Sequence, residues 1–324
     1  MILITGAAGF IGSNYAHLLN KKDEEIAICD WLGHHDKWKN LAGLNLADIV
    51  DPENVLGWLK HNKISHIIHM GAVSTTTATD VDYLLKQNFE LSKKLWHWCT
   101  EAHIRFIYAS SAATYGAGEQ GFTDDNSLDY LKKLRPLNAY GWSKNLFDMW
   151  AITQVMKGNH PPQWAGLKFF NVYGPRETHK GPQRSVAHQL FEQMKRGESI
   201  KLFKSYHPDY PDGGQQRDFV FVDDCCEVIN WLSHTPSVSG IFNVGTGKAR
   251  SFFDIVTGLS NAMSQKANIE FIEMPDQIKQ HYQYFTQSDM TRLQSAGYKL
   301  GFTSLEQGIE AYVNFLENNK DFYS

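Results

Sequence analysis

The N-terminus holds the feature that most constrains the fold: a short apolar run leads through a glycine-rich turn into a helical pattern. The run Ile2–Thr5 predicts a β-strand, and the helical pattern begins at about Phe10. Between them stands Gly6-Ala7-Ala8-Gly9-Phe10-Ile11-Gly12, a relative of the G-x-G-x-x-G fingerprint. Glycines in such a turn let a phosphate approach the backbone, and the helix N-terminus offers N–H groups to it. The pattern predicts a dinucleotide-binding unit, and an ordinary glycine turn is the alternative.

Strands and helices alternate through the rest of the first half. Apolar strands are expected at 25–30, 66–69, 104–109 and 165–169, with helices near 52–62, 81–101 and 140–158. This alternation predicts an α/β fold with a Rossmann-type, doubly wound parallel sheet.

The second half has a looser pattern. An exposed loop is expected at 206–214, and helices are expected near 183–197, 223–234, 251–264 and 304–318. We therefore expect an NAD(P)-binding domain at 1–170, with return segments near 218–249. Residues 171–324 would form mainly a smaller, mixed α/β substrate domain.

Composition narrows the class of protein. The chain has 324 residues, of which 42% are hydrophobic, and a net charge of −4, which argues against a disordered or strongly basic nucleic-acid-binding chain. No apolar run approaches the ~20 residues that cross a bilayer, and no export signal is recognised at the N-terminus. The four cysteines form no C-x-x-C, so free thiols in a reducing compartment are expected. The histidines show no metal-ligand spacing, so we predict no metal site, no membrane or nucleic-acid partner, and a cytoplasmic location.

An acidic residue follows the second predicted strand. Asp30 lies 18 residues after Gly12, where an acid accepts a hydrogen bond from the 2′-hydroxyl of NAD. Cationic or titratable side chains follow closely and would instead favour the 2′-phosphate of NADP; they are His34, His35, Lys37 and Lys39. The residues leave this choice open.

Two further segments are candidate cofactor contacts. Asp48 follows a third apolar stretch, where its carboxylate could accept from an adenine amino group, or it is a turn aspartate. The run Met70-Gly71-Ala72-Val73-Ser74 closes the fourth strand, and its small residues permit close backbone approach to the cofactor.

A tyrosine and a lysine stand one helical turn apart. Tyr140 and Lys144 share a helix face at i and i+4, and an ammonium beside a phenol lowers the pKa of that phenol. Tyr140 could then remove an alcohol proton while a hydride leaves to the cofactor. Ser111, at the end of the fifth strand, could hydrogen-bond the same substrate oxygen, with Ser110 as the less favoured choice.

These motifs together resemble the extended short-chain dehydrogenase/reductase superfamily, whose members modify nucleotide sugars. The resemblance covers essentially the whole chain and implies that Ser111 polarises the substrate, Tyr140 is the acid/base and Lys144 holds the ribose and tunes the phenol. It also implies cofactor contacts at Trp31, Asn88 and Val172. Dehydratases of this superfamily carry an Asp-Glu pair where this chain has Ala112-Ala113, which argues against water elimination.

The second half narrows the resemblance. The run Phe170-Asn171-Val172-Tyr173-Gly174-Pro175-Arg176-Glu177-Thr178-His179-Lys180-Gly181 and the segment 282–289 are similar to the ADP-glyceromanno-heptose 6-epimerase family. This resemblance implies interconversion of two ADP-heptose epimers for lipopolysaccharide-core synthesis. It also implies tightly held NADP with NAD as a substitute, Lys180 as a second acid/base, and a homo-oligomer, expected to be a pentamer. A phosphate-binding or surface lysine is the alternative for Lys180.

The resemblance also implies a set of substrate contacts: Ser111, Asn171, Lys180, Pro182, Gln189, Phe203, Lys204, Ser205, Arg217 and Tyr282. Arg217 suits a diphosphate clamp, because a guanidinium bonds two oxygens at once. The chain departs from the family pattern at Trp31, at Pro52 in place of a cofactor lysine, at Pro182 and at Gln189.

Two alternatives remain open. A UDP-hexose 4-epimerase would share Ser111, Tyr140 and Lys144, but it gives no special reason for the His179-Lys180-Gly181 sequence. A dinucleotide-binding regulator without catalysis is the alternative from another class, and the intact Tyr140 and Lys144 argue against it.

Overall fold

The computed structural model describes residues 1–33, 36–275, 279 and 282–319 of the chain. Its strands are β1 Ile2–Thr5, β2 Ile26–Cys29, β3 Asp48–Val50, β4 His66–His69, β5 Arg105–Ser111, β6 Trp164–Phe169, β7 Asn171–Tyr173, β8 Ile200–Phe203, β9 Gln216–Phe221, β10 Gly240–Val244, β11 Ala249–Ser251 and β12 Ile269–Ile272.

The α-helices are α1 Phe10–Asn20, α2 Val55–Leu59, α3 Val81–Leu85, α4 Leu91–Glu101, α5 Leu128–Leu131, α6 Ala139–Met156, α7 Val186–Lys195, α8 Val222–His234, α9 Phe252–Ala262, α10 Thr291–Ser295 and α11 Leu305–Asn318. Short 3₁₀ helices lie at Asp36–Leu41, Ala112–Tyr115 and Thr178–Gln183.

The predicted Rossmann-type sheet is confirmed. Seven strands pair in the order β10-β6-β5-β4-β1-β2-β3, and every pairing in this sheet is parallel. Strands β1, β2 and β4 are buried along their whole length because helices cover both faces of the sheet. The chain order reverses at β1, so a crevice opens at the carboxyl ends of β1 and β4.

Apolar side chains form one core on each face of this sheet. Helices α1 and α8 pack on one face, and α4 and α6 pack on the other. The predicted helix over 81–101 is present but is interrupted by a π-helical segment, Lys86–Glu90, between α3 and α4. Such segments often mark functional sites.

Two smaller sheets and a third apolar core lie in the second half. Strands β11, β9 and β7 form one small sheet, and β12 pairs with β8 in the other. The third core joins α7, α9 and α11 to these strands. The sequence patterns did not predict strands β7–β12, of which β7, β8, β11 and β12 have only three or four residues each.

All four cysteines, Cys29, Cys99, Cys225 and Cys226, are buried and free. Among the helices that the structure describes, none combines the length and apolar composition required to cross a bilayer. Among the described residues, no cluster of three or more His, Cys, Asp and Glu side chains is placed to hold a metal ion.

Candidate active site

The glycine turn packs against the loop that follows β4. Gly6 has a positive φ of 66°, and a Cβ on it would lie 2.5 Å from the backbone nitrogen of Gly71. A Cβ on Gly12 would lie 2.3 Å from the carbonyl oxygen of Gly6. Both positions therefore exclude a side chain, which explains two of the three glycines without reference to a ligand.

The N-terminus of α1 has the chemistry of an anion site. Its N-cap is Gly9, which supplies no side-chain cap, and its first turn contains no acidic residue. Among the described residues no side chain caps the N–H groups there, which carry the positive end of the helix dipole. Phe10 and Ile11 occupy this first turn, so the predicted cofactor residues surround a site that fits a pyrophosphate.

Asp30 and Lys37, whose charges favour different cofactors, form an ion pair. Lys37 Nζ lies 2.5 Å from Asp30 Oδ1 and donates to the carbonyl oxygen of Trp31 at 3.0 Å. The other carboxylate oxygen of Asp30 accepts from the backbone N–H of Ala8 at 2.8 Å. The acid is thus fixed on the glycine turn, while Lys39 pairs with Asp36. His34 and His35 lie outside the described residues.

Asp48 bonds to its own chain. Its side chain accepts from the Trp58 indole at 2.7 Å and from the Ile49 N–H at 2.8 Å. Asp48 therefore joins β3 to α2, and an adenine contact by this residue remains a prediction.

The loop from Met70 to Ser74 is held by Asn88, which lies in the π-helical segment. The Asn88 amide accepts from the Val73 N–H at 2.8 Å and donates to the Val73 carbonyl at 3.0 Å. It also contacts the hydroxyl of Ser143 on α6 at 3.1 Å. Asn88 thus orders the loop that contains Gly71 and Ala72 and links it to the helix of Tyr140.

Tyr140 lies at the start of α6, close to the end of β5. The Asn138 side chain caps α6 by accepting from the Gly141 N–H at 2.8 Å. A Cβ on Gly141 would lie 2.5 Å from the Ala113 carbonyl oxygen, so glycine lets α6 begin directly against the segment that follows Ser111. This close approach places Tyr140 near Ser111, whose side chain lowers the pKa of the phenol against the effect of burial.

The expectation that Lys144 lowers the pKa of Tyr140 is wrong for this arrangement. Burial raises the pKa of Tyr140, and only the hydrogen bond with Ser111 opposes it. Lys144 Nζ instead donates to the carbonyl oxygen of Ala109 at 2.8 Å. Burial also lowers the pKa of Lys144 to about 8.

Lys180 belongs to the 3₁₀ segment that follows β7, and it reaches the glycine turn. Its Nζ lies 4.9 Å from the centre of the Phe10 ring and 3.6 Å from the carboxylate of Glu177. Asn40 ties this segment to the turn, because its amide nitrogen lies 2.9 Å from the Ala8 carbonyl oxygen and 3.0 Å from His179 Nδ1.

Glu177 is a residue that sequence reasoning missed. Its side chain is fully buried, and it accepts hydrogen bonds from the Ser185 N–H and hydroxyl, both at 2.6 Å, and from the Tyr312 hydroxyl at 3.0 Å. It therefore fixes the Lys180 segment to α7 and α11. No local pattern reveals this, since Tyr312 lies far along the chain.

Three of the predicted substrate residues lie close together in the second half of the chain: Arg217, Tyr282 and Phe203. The Arg217 guanidinium lies 5.4 Å from the Tyr282 ring centre, and the rings of Tyr282 and Phe203 are 6.2 Å apart. Burial lowers the pKa of Arg217, whereas Tyr282 raises it. A half-buried cation beside an aromatic ring is suited to a phosphate-bearing ligand.

Other predicted substrate residues are engaged in local contacts. Lys204 forms an exposed ion pair of 2.7 Å with Glu273, and the Ser205 hydroxyl donates to the His207 carbonyl at 3.0 Å. The Gln189 amide donates to the Pro182 carbonyl at 3.3 Å.

Asn171 and Val172 are the first two residues of β7, at positions that pair with Phe219 and Val220 of β9. Their roles, like those of Lys204, Ser205, Gln189 and Pro182, stay predictions.

Asp218 follows Arg217 but serves a different purpose from a clamp. It has no exposed surface, and its carboxylate accepts from the Thr246 hydroxyl at 2.7 Å and from the Ser288 hydroxyl at 2.5 Å. It therefore joins β9 to the loops after β10 and before α10.

Comparison with known proteins places this site in a family. The model of the NAD dependent epimerase/dehydratase family matches residues 2–245. The ADP-L-glycero-D-manno-heptose-6-epimerase of Fusobacterium nucleatum is 45% identical, and the match covers 100% of each chain. The crystal structure of the Helicobacter pylori enzyme of that name superposes with a TM-score of 0.80 at 29% identity, covering 98% of this chain and 96% of that one.

The structure of an epimerase that is named for a different sugar shares the fold. The Thermus thermophilus UDP-glucose 4-epimerase complex with NAD has a TM-score of 0.77 at 24% identity, and the match covers 98% of each chain. The chain is therefore an enzyme of the NAD dependent epimerase/dehydratase family, related along its whole length to ADP-L-glycero-D-manno-heptose-6-epimerases.

Proposed function

We propose that this enzyme interconverts ADP-D-glycero-D-manno-heptose and ADP-L-glycero-D-manno-heptose by oxidising C6 and then reducing it from the opposite face. The names of relatives that are 39–45% identical over nearly the whole chain support this substrate.

The observation that carries the mechanism is the position of Lys180. Its Nζ stands 4.9 Å from the centre of the Phe10 ring, in the first turn of the helix that fits the cofactor pyrophosphate. Tyr140 and Lys180 are thus two proton-carrying groups that come from separate segments, α6 and the 3₁₀ segment after β7. Inversion of a carbinol moves its oxygen to the other face, so a second proton carrier spares Tyr140 from reaching both positions.

Tyr140 and Lys180 each carry one of the two proton transfers. Tyr140 acts as the phenolate, which the positive charge of a bound oxidised nicotinamide would stabilise, and takes the hydroxyl proton from one epimer. Ser111 hydrogen-bonds the same oxygen. After the sugar presents its other face, Lys180 gives a proton to the new alkoxide. In the reverse direction Lys180 accepts the proton and Tyr140 returns one. A bound nicotinamide would supply the acceptor and donor of the hydride.

The cofactor is proposed to be NADP, with NAD as a substitute. The ion pair of 2.5 Å between Lys37 and Asp30 supports this choice, because it neutralises the acid that would repel a 2′-phosphate. The side chain of Lys37 is 25% exposed, so a phosphate could approach it.

The setting of the reaction is also a proposal. We expect a cytoplasmic homo-oligomer that supplies a nucleotide-activated heptose for the lipopolysaccharide core. Four buried free thiols support a reducing compartment.

The experiment incubates purified protein with a single ADP-heptose epimer or with UDP-galactose. Products are separated by chromatography while the absorbance of reduced nicotinamide is followed. We expect the second ADP-heptose epimer to form without net reduction of cofactor. Faster conversion of UDP-galactose would favour a UDP-hexose 4-epimerase, and bound cofactor without turnover of either sugar would favour a regulator.

A further inference from the structure

A fully buried ion pair lies beneath the segment that contains Ser111. Lys168 of β6 and Asp148 of α6 approach within 2.9 Å, and neither side chain has exposed surface. Burying two charges carries a large desolvation cost, and apolar replacements of such pairs are often neutral or stabilising. The pair is therefore poorly explained by stability alone.

Lys168 is connected to Ser111 through one hydroxyl. Its Nζ contacts Thr114 Oγ1 at 2.6 Å, and the Thr114 hydroxyl donates to the carbonyl oxygen of Ser111 at 2.8 Å. Thr114 has no exposed surface. The ammonium thus fixes the turn that follows Ser111 from inside the protein.

Asp148 is connected to the residue on the other side of Ser111. One carboxylate oxygen accepts from the Ser110 hydroxyl at 2.7 Å, and the other accepts from the Tyr108 hydroxyl at 2.9 Å. Asp148 also lies one helical turn beyond Lys144, and its charge raises the pKa of that lysine against the effect of burial. The carboxylate thus acts on both β5 and the catalytic face of α6.

We propose that Asp148 and Lys168 are positioning residues for epimerisation, which hold segment 110–114 so that the Ser111 hydroxyl meets Tyr140. Every hydrogen-bond partner of the pair described above lies on β5 or in the turn that follows it. An apolar or amide pair would fill the space but could not hold both ends of this segment. The inference rests on the proposed roles of Ser111 and Tyr140.

The test uses the double variant Asp148→Asn/Lys168→Met, which removes both charges and leaves neither unpaired. We expect retained folding and bound cofactor, an unchanged KM and a kcat lowered about 100-fold, since small misplacements have effects of this size. Hydrogen exchange of a peptide covering 110–116 should become faster. The single variant Lys168→Arg keeps the positive charge, the donor and the partner Asp148. It should retain most of the wild-type kcat.

A matched control alters a buried hydrogen-bonded pair elsewhere. The hydroxyls of Tyr15 and Ser233 are 3.1 Å apart between α1 and α8, so Tyr15→Phe/Ser233→Ala should leave kcat and the exchange of 110–116 unchanged. If the charge-free double variant does not fold, the variant Thr114→Val tests the positioning role instead. It removes only the bridging hydroxyl and should lower kcat about 10-fold.

Two results would overturn the positioning role of Asp148 and Lys168. Wild-type kcat in the folded double variant, or in Thr114→Val when it is needed, overturns the positioning role. A lowered kcat with unchanged exchange at 110–116 also overturns it, because the pair would then act by another route. If the unaltered enzyme turns over no nucleotide sugar, the proposed function fails, and hydrogen exchange alone decides whether the pair holds the segment.

Discussion

Lys144 Nζ donates a hydrogen bond of 2.8 Å to the carbonyl oxygen of Ala109, so a buried ammonium joins α6 to β5 near the end of that strand. The same strand continues to Ser111, whose side chain lowers the pKa of Tyr140. One lysine therefore stands between the backbone that positions the serine and the helix that positions the tyrosine. Its charge is retained at neutral pH at a cost in stability.

Replacing Lys144 by methionine should stabilise the fold while it removes activity. Burial lowers the pKa of Lys144 from 10.5 to about 8, so below about pH 8 the folded protein carries a charge that the unfolded chain holds more easily. This shift corresponds to roughly 3 kcal/mol. The unfolding free energy of Lys144→Met should exceed that of the wild type near pH 7.

The same comparison has a defined pH dependence. The unfolded lysine binds more protons than the folded one between about pH 8 and 10.5, so wild-type stability from this group rises with pH in that window. The advantage of Lys144→Met should therefore shrink as pH increases, as measured by urea unfolding. A constant difference between about pH 7 and 10 would contradict the buried ammonium.

Replacing Tyr140 by phenylalanine should lower kcat about 1,000-fold, because general acid–base groups contribute effects of this order. Bound cofactor and melting temperature should be unchanged. Tyr173→Phe is the matched control, since this buried tyrosine bonds only the Leu305 carbonyl, at 3.4 Å, among the contacts described for its hydroxyl. Equal activities of the two variants would refute the role of the phenol.

Replacing Lys180 by methionine should lower kcat about 100-fold and leave cofactor binding intact, because one of two proton carriers is lost. Lys195→Met is the control, since that lysine forms an exposed ion pair with Glu317 and stands in α7. Steady-state kinetics on ADP-heptose distinguish the two. If Lys180→Met keeps wild-type kcat, Lys180 has no acid–base role.

Replacing Lys37 by methionine should shift cofactor preference from NADP toward NAD. The carboxylate of Asp30 would lose its partner at 2.5 Å and would repel a 2′-phosphate, while a 2′-hydroxyl could still donate to it. We expect affinity for NADP to fall about tenfold, as for one lost charge-assisted contact. The protein is reloaded with an equal mixture of NADP and NAD, and mass spectrometry of the cofactor released on denaturation gives the ratio of the two. A ratio equal to that of the wild type would show that Lys37 does not select the cofactor.

Much of the site was predictable because its signals are local. The glycine turn lies within one strand–helix connection, and Tyr140 and Lys144 lie one turn apart in α6. Periodicity and spacing capture both features. The parallel sheet followed from the alternation of apolar strands and helices.

The rest depends on contacts between distant segments. Asn88 bonds Ser143 on another helix, and Lys168 pairs with Asp148 across the sheet and α6. A lysine inside the otherwise apolar strand Trp164–Phe169 was a signal that a buried partner exists, but spacing does not identify that partner. The pKa of Tyr140 differed from expectation because burial, which sequence does not give, outweighs the nearby groups.

The fate of the hydrogen on C6 is the most direct test of transient oxidation within one active site. ADP-heptose that carries deuterium on C6 is converted in ordinary water, and the unlabelled sugar is converted in deuterated water. We expect the labelled product to keep its deuterium and the unlabelled product to gain none on carbon, because the hydride leaves and returns within one active site. Exchange of that hydrogen with solvent would contradict transient oxidation and the roles given to Tyr140 and Lys180.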